Sequence, residues 1–527
     1  MTVIAPHSQA GPSAPRTTEA PPTPAPLSAP AAPSDQPAPA AAGRLRASTR
    51  GPSSGSLQAV TRTVQEVDAI GLFAAAREQD LEVALWLQPS AGFALVGIGC
   101  AWSVEASGAE RFQRAAAAWQ DLRAGAVTDV PPGSPRGVGP VLVGGLGFTG
   151  ELPADDDPWS PFGAASLVLP ELTYARAHGT SFVTVAEVNS PAGRMGRGQD
   201  RATREGIRAG RDEDQVGRAQ TRWDGLVARA AALSPARGAV VARPADVPLA
   251  MVGERPDRVA WDRLVGLFAG AVGRGRLDKV VLARRVHLRS PIEIDVENAL
   301  RRLAAGAPEG TIYAFVRGGE TFLGATPERL VRTAGRDFET VAIAGSAPRG
   351  ATAAEDAALA AALQASGKER EEHAVVVEML RASLVPLAET LEIGAAPGIL
   401  PLRDVQHLVT PVRGRLRDQA GLLALAERLH PTPAVGGEPR GLALEMIAEH
   451  EGIERGWYAS PIGWLGIDGD GELMVALRCG LVAGRDARLY AGCGIVADSD
   501  PAREWEESRM KLRPVASALG RDPEPAA

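Results

Sequence analysis

The sequence predicts an α+β fold dominated by antiparallel strands. Strand-like runs follow one another with no helix between them, as when "ETFLGATPERLV" (320–331) leads directly to "ETVAIAGSA" (339–347). Neighbours of that kind pair antiparallel, whereas a doubly wound parallel sheet needs a crossover helix after each strand. The chain has 527 residues, 45% of them hydrophobic, so it is long enough to bury a large core, and it contains no internal repeat that would mark a solenoid.

Residues 1–55 are rich in Pro, Ala and Ser, and the first aromatic is Phe73. Such a stretch buries too little apolar surface to offset its ordering entropy, so we expect a disordered low-complexity tail. It lacks the basic start and compact apolar run of a secretory signal. Apolar patterning begins near residue 57. "ALWLQP", "FALVGIGCAW" and "GPVLVGGLGF" read as strands with glycine turns, and "GAERFQRAAAAWQDLRAG" as an amphipathic helix. "SPFGAASLVLPELTYAR" and "SFVTVAEV" read as further strands. Residues 190–222 are charged and glycine-punctuated, which predicts a surface excursion or solvated helix; residues 56–254 thus form the N-terminal part of the domain.

From residue 255 to 520 the pattern sharpens. "DRVAWDRLVGLFAGAVGRG" is an amphipathic helix, "KVVLARRVHL" a strand and "DVENALRRLAAG" a helix. "TIYAFVRG", "ETFLGATPERLV" and "ETVAIAGSA" each read as one strand. Two helices are expected over 353–388, strands over 390–414, and a helix near 420–428. "ASPIGWLGI", "GELMVALRCGLV" and "ARLYAGCGIV" read as strands, followed by a helix from Pro501.

Net charge is −7 and the pI is near 5.7. Nucleic-acid and anionic-membrane binders need a basic surface, so neither partner is expected. Three widely spaced cysteines suggest neither a disulfide framework nor a zinc site and fit a reducing cytoplasm. No apolar run of about 18 residues is present, so no transmembrane helix is expected. Oligomeric state is open, and a monomer is compatible with the sequence.

Several charged residues stand where apolar ones belong. Ser366 and Glu369 form an S-x-x-E capping box that starts a helix near Gly367. At 100° per residue, Val375, Val376, Met379 and Leu380 define an apolar arc with Glu372 in its middle, while Glu371, Glu378 and Arg381 fall opposite. A buried carboxylate must be paired or bind a cation, so Glu372 is either half of an internal salt bridge or a site residue. Arg478 lies inward in "ELMVALRCGLV", in phase with Met474, Ala476 and Val482; it must meet an internal carboxylate or a substrate one. Lys279 heads its strand in phase with Val281 and Ala283, a place where solvated lysines are also common. Asp500 caps the last helix, with Pro501 at its first position. Glu504, Glu507 and Lys511 share one face of that helix, as a surface ion pair or a site. Gly492 and Gly494 offer either backbone N–H groups to an anion or a bulge. Carboxylates at this density suit Mg²⁺. An enzyme handling a small anion through a metal is the natural reading; spacing alone does not name the reaction.

The stretches "KVVLARR", "FLGATPERLV", "AIAGSAPRG", "KEREEH", "HLVTPVRG", "LHPTPAVGGEPRG", "GWYASPIGW", "VALRCG" and "YAGCGIVADSDPAREWEE", in this order, resemble the chorismate-utilising enzyme family. That family holds isochorismate, salicylate, anthranilate and aminodeoxychorismate synthases. The resemblance covers roughly 255–518 and extends more weakly upstream through "VGGLGF" and "LVLPELTYAR". It implies two large antiparallel sheets packed face to face with helices outside and the active site between them. It implies chorismate as substrate and Mg²⁺ held by Glu372 and Glu507 with Glu504 near. Lys279 matches the general base toward water and Glu328 the acid that protonates the leaving hydroxyl. Arg478, Lys511, Gly492, Gly494 and Gly345 would bind the substrate, and His407 would line its ring pocket. Ala344 stands where aminodeoxychorismate synthases carry a nucleophilic lysine, and Ala434 where salicylate and anthranilate synthases carry threonine. Together these imply an isochorismate synthase: water adds at ring carbon 2 and the carbon 4 hydroxyl departs. A salicylate synthase, which goes on to eliminate pyruvate, is the alternative, and a non-catalytic chorismate-binding regulator a remote one. Isochorismate feeds both menaquinone and catechol siderophores, and the sequence fits either. The family "AGAG" reads "AGCG" here, which makes Cys493 a departure.

Overall fold

The computed structural model describes residues 55–189, 217–231, 247–401, 405–417 and 420–520. The expected tail, up to residue 54, and most of the 190–222 segment lie outside them. Residues 217–231 are helical; the first turns are solvated, and Trp223 then stacks on Tyr174 at 6.0 Å between ring centroids.

Two sheets form the frame, one of thirteen strands and one of ten. The main order of the larger is Ala250–Arg255, Lys279–Arg289, Asp486–Ile495, Cys479–Ala483, Glu320–Thr326, Thr311–Arg317, Val83–Gln88, Phe93–Ile98, Leu172–Ala177, Thr180–Asn189, Ser56–Val64, Val127–Asp129. The smaller runs Ala388–Ile393, Val405–Leu416, Asp337–Pro348, Arg329–Ala334, Gly471–Val475, Pro461–Gly466, Val141–Leu146, Ala165–Leu169, Trp102–Glu105. Among the described residues only Ser56–Val64 and Val127–Asp129 pair parallel.

The central strands of the larger sheet are buried on both faces, which explains their nearly continuous apolar sequences. In Thr311–Arg317, Tyr313 and Phe315 enter the core shared with the smaller sheet, while Ile312, Ala314 and Val316 meet the helices Ala69–Arg77, Val296–Gly306 and Pro501–Leu519. Helices Arg111–Ala124, Gly367–Leu384 and Leu422–Leu429 pack against the smaller sheet. This is the expected arrangement of facing antiparallel sheets with outer helices.

Four expected strands divide between the sheets. "FALVGIGCAW" gives Phe93–Ile98 in the larger sheet and the start of Trp102–Glu105 in the smaller, and "SPFGAASLVLPELTYAR" gives Ala165–Leu169 in the smaller and Leu172–Ala177 in the larger. The other two cross at the candidate site. "ETFLGATPERLV" is not one strand: Glu320–Thr326 belongs to the larger sheet and Arg329–Ala334 to the smaller, and the chain crosses at Pro327 and Glu328. "GELMVALRCGLV" likewise divides into Gly471–Val475 in the smaller sheet and Cys479–Ala483 in the larger. Arg478 sits at this second crossing with φ +48°, so its supposed phase with Met474 and Val482 has no meaning. Both halves of each of these last two runs are buried, so apolar periodicity continues through the break and conceals it.

Candidate active site

The two crossings brace each other. Val475 N–H donates to Glu328 O at 2.9 Å, Thr326 Oγ1 to Val475 O at 2.6 Å, and Ala325 N–H to Arg478 O at 3.1 Å. The two passages therefore run side by side from one sheet to the other, with Glu328 opposite Val475 and Arg478 opposite Ala325. Burial raises the Glu328 carboxyl to about 6, against the opposing pull of the Lys279 and Lys511 ammonium groups.

Lys279 opens the strand Lys279–Arg289, as the sequence predicts, and its ladder with Asp486–Ile495 places Val281 opposite Gly494. A Cβ at position 494 would lie 2.2 Å from Lys279 Cε and 2.9 Å from Nζ. Gly494 is the floor on which the lysine lies. The Nζ then reaches 3.9 Å from Glu372 Oε1.

Helix Pro501–Leu519 is capped by Asp500, whose carboxylate accepts from Ala502 and Arg503 N–H. Its inner face brings Glu504, Glu507 and Lys511 to the glycine strand. Lys511 Nζ lies 2.6 Å from Glu507 Oε1 and donates to Gly492 O at 2.9 Å. Cys493 Sγ joins Glu504 and Glu507, their donor atoms all lying within 4.8 Å of one another. Its thiol donates to Glu504 O at 3.2 Å, and burial pushes it far above an ordinary thiol. Burial also raises the Glu504 carboxyl, with Glu507 adding to the rise and the Ser499 hydroxyl, which donates at 2.8 Å, opposing it. Glu372 is not part of this cluster; its carboxylate lies beside Lys279.

Helix Gly367–Leu384 departs from expectation in two ways. Ser366 Oγ accepts from Glu369 N–H at 3.3 Å, but the Glu369 carboxylate does not close the capping box; it accepts from Ser346 N–H at 3.2 Å. The buried face is centred on His373, Leu380 and Leu384, and Val375 is 48% exposed. Glu372 thus lies at the edge of the buried face rather than its middle, its side chain 42% exposed. Glu371 is exposed, and Glu378 pairs with Arg381 at 3.2 Å, as a solvated face should. His373, seven residues before Leu380 and so on its face, is the signal that helical phase offered and the sequence reading missed.

His407, on Val405–Leu416, shares a hydrogen bond of 2.8 Å with Ser346 Oγ. Burial lowers the His407 imidazole, and the nearby Lys511 and Arg478 charges lower it further, against a hydrogen bond that the ring gives to the Gly345 backbone. Gly345, with φ +75°, bends the neighbouring strand at this point. Ala434 and Glu328 line one small cavity of about 30 Å³. Thr432, which the sequence did not flag, lines it too, and its hydroxyl is buried without a hydrogen-bond partner among the described residues.

A family model for chorismate-binding enzymes matches residues 44–520. The chain belongs to the chorismate-binding enzyme family. It is 37% identical over 465 residues, 88% of this chain and 90% of the relative, to the salicylate biosynthesis isochorismate synthase of Pseudomonas aeruginosa. It is 31% identical to the isochorismate synthase MenF of Bacillus subtilis, covering 87% of this chain and 93% of that one. In three dimensions it resembles the menaquinone-specific isochorismate synthase of Escherichia coli with a TM-score of 0.69, over 90% of this chain and 96% of that one, at 24% identity. This chorismate-binding enzyme therefore has the family's paired-sheet fold, and the candidate residues from its two crossings, its glycine strand and two helices converge where those sheets meet.

Proposed function

We propose that this enzyme is an isochorismate synthase, isomerising chorismate by adding water at ring carbon 2 and releasing the carbon 4 hydroxyl. The observation that carries the chemistry is the Glu328 carboxyl. It holds its proton to about pH 6 beside two lysines, as a general acid working near neutrality requires. The names of the full-length relatives support the same product.

In this reading Lys279 takes a proton from the attacking water, and Glu328 gives its proton to the departing hydroxyl. The ring double bonds shift between the two events, so one water enters and one leaves. Arg478 and Lys511 bind the substrate carboxylates, with the peptide groups of Gly492 and Gly494 beside them. In a strand, residues two apart present their peptide groups to one edge, and Gly492 already meets Lys511 there. Gly345 and His407 lie along the ring. Ala434, which lines the same cavity as Glu328, lacks the hydroxyl that the resemblance assigns to salicylate and anthranilate synthases at this position.

The donor set fits a hard divalent ion: Glu504 and Glu507 converge, and Glu372 stands at the Lys279 ammonium, which lies over Gly494, all three carboxylates being oxygen donors of the kind Mg²⁺ prefers. The Cys493 sulfur is a soft atom that Mg²⁺ does not favour, and it is already engaged with Glu504 O. Glu372 and Glu507 would hold Mg²⁺ with Glu504 near. When bound, the ion would neutralise and orient the substrate's ring carboxylate.

Incubation with chorismate and Mg²⁺ tests the assignment. Isochorismate alone is expected; fluorescent salicylate together with pyruvate, formed without another enzyme, would show the salicylate synthase reaction instead. Lys279→Ala should lose at least about a hundredfold in kcat, and full activity in that variant would remove the proposed base.

A further inference from the structure

The first turns of helix Gly367–Leu384 carry Glu372 yet bury little. Gly367, Lys368, Arg370, Glu371, Ala374 and Val375 are all exposed. Two side chains four residues apart on one helix face, Glu369 and His373, hold these turns down. Both reach one irregularity in the smaller sheet. The ladder between Asp337–Pro348 and Val405–Leu416 shifts register between Ala344 and Ser346, with Gly345 in the left-handed region. A bulge takes peptide groups out of the regular ladder and re-aims them. Here His373 Nδ1 meets Ala344 O at 3.3 Å, and Ser346 N–H donates to Glu369 Oε2 at 3.2 Å.

A carbonyl only accepts, so the ring proton sits on Nδ1, and Nε2 accepts from the Thr410 hydroxyl at 2.7 Å. His373 and Thr410 are each only 2% exposed. Glycine at 345 is what allows so close a seat: a Cβ there would lie 3.1 Å from Glu369 Oε2 and 3.3 Å from Glu369 Cβ.

We propose that His373, seconded by Glu369, is a positioning residue that clasps this helix to the bulge and so holds the adjacent Glu372 opposite Lys279. This rests on the reading of Glu372 as a metal ligand, since His373 acts through it.

The test uses the full chain, with Mn²⁺ affinity read from the EPR signal of the free ion and backbone order from hydrogen–deuterium exchange. His373→Ala is expected to weaken Mn²⁺ binding about tenfold, the scale of a lost supporting contact at a metal site. It should also speed exchange over 367–374 while leaving 380–384 unchanged. His373→Asn, whose amide N–H still reaches Ala344 O, should recover part of both. Thr410→Val removes one hydroxyl at nearly constant shape; it should shift both readouts the same way, and it carries the test if His373→Ala does not fold. Glu372→Gln is the control. If it abolishes Mn²⁺ binding while His373→Ala and Thr410→Val bind as tightly as the unaltered protein, the clasp is overturned and the ligand reading stands. If Glu372→Gln binds Mn²⁺ unchanged, the ligand reading fails, and exchange over 367–374 decides the clasp alone: faster exchange upholds it and unaltered exchange overturns it.

Discussion

Glu328, the proposed acid, ties its protonation to stability. Its carboxyl keeps a proton to about pH 6 in the fold, against 4.5 for an unburied glutamate. Below pH 4.5 both states are protonated and the stabilising contribution is fully present. Between 4.5 and 6 only the unfolded chain releases the proton, and above 6 the fold holds a buried carboxylate and the contribution is lost. Glu328→Gln should therefore be more stable than the unaltered protein by about 1–2 kcal/mol at pH 7.5, with the gain shrinking toward pH 4.5; urea unfolding at the two pH values measures it. The same variant should lose at least about a hundredfold in kcat. A second expectation concerns Gly494. The three atoms nearest an added Cβ all belong to Lys279. Gly494→Ala should thus cut kcat sharply in the unaltered background and do little further harm in Lys279→Ala, a double-mutant cycle that steady-state kinetics can close. Single residues were unevenly legible. Helical phase separates exposed Glu371 from Glu372, but it takes Val375 as buried and passes over His373. Arg478 is singled out by a strand phase that does not exist, since it sits at a crossing. Thr432 gives no signal at all, because a buried hydroxyl without a partner is a property of the packed fold.

At the scale of elements, the strand that begins with Lys279 is fixed from behind by a buried ion pair. Glu451 and Arg455, both about 2–3% exposed in their side chains, lie 2.5 Å apart. Arg455 also donates to Val435 O at 2.9 Å and Val281 O at 2.8 Å, and Glu451 accepts from Ala283 N–H at 2.7 Å. One cluster thus ties the Lys279 strand to the loop that carries Ala434. Arg455→Met should cost about 3–5 kcal/mol by leaving a buried carboxylate unpaired. Glu451→Leu combined with Arg455→Met should recover little of it, because three backbone groups then lose their partners. Denaturant midpoints of the three proteins check this; a double variant as stable as the unaltered chain would contradict it. Most strands and helices were legible because their apolar periodicity is strong, and the final helix declared itself through Asp500 and Pro501. The two crossings were not. Pro327 and the left-handed Arg478 mark them locally, but continuous burial keeps the hydrophobic pattern running through both.

On the scale of the whole molecule, both sheets recruit strands from both halves of the chain, and the candidate site stands where the chain passes between them. Glu328 and Arg478 come from those passages, Lys279 from an inner strand of the larger sheet, and the carboxylates from helices that pack on different sheets. Such a site has no sequence-local signature beyond its separate motifs, and the resemblance of those motifs in order identified what spacing could not. Treatment with EDTA should abolish turnover, and Mg²⁺ should restore it without altering the far-UV circular dichroism, since the sheets and not the ion assemble the site. In the proposed reaction solvent water attacks carbon 2, and turnover stops at isochorismate. The direct measurement is mass spectrometry of the product formed from unlabelled chorismate in H₂¹⁸O with Mg²⁺. Isochorismate carrying one ¹⁸O, with no pyruvate released, is the predicted result; unlabelled isochorismate, or salicylate with pyruvate, would contradict it.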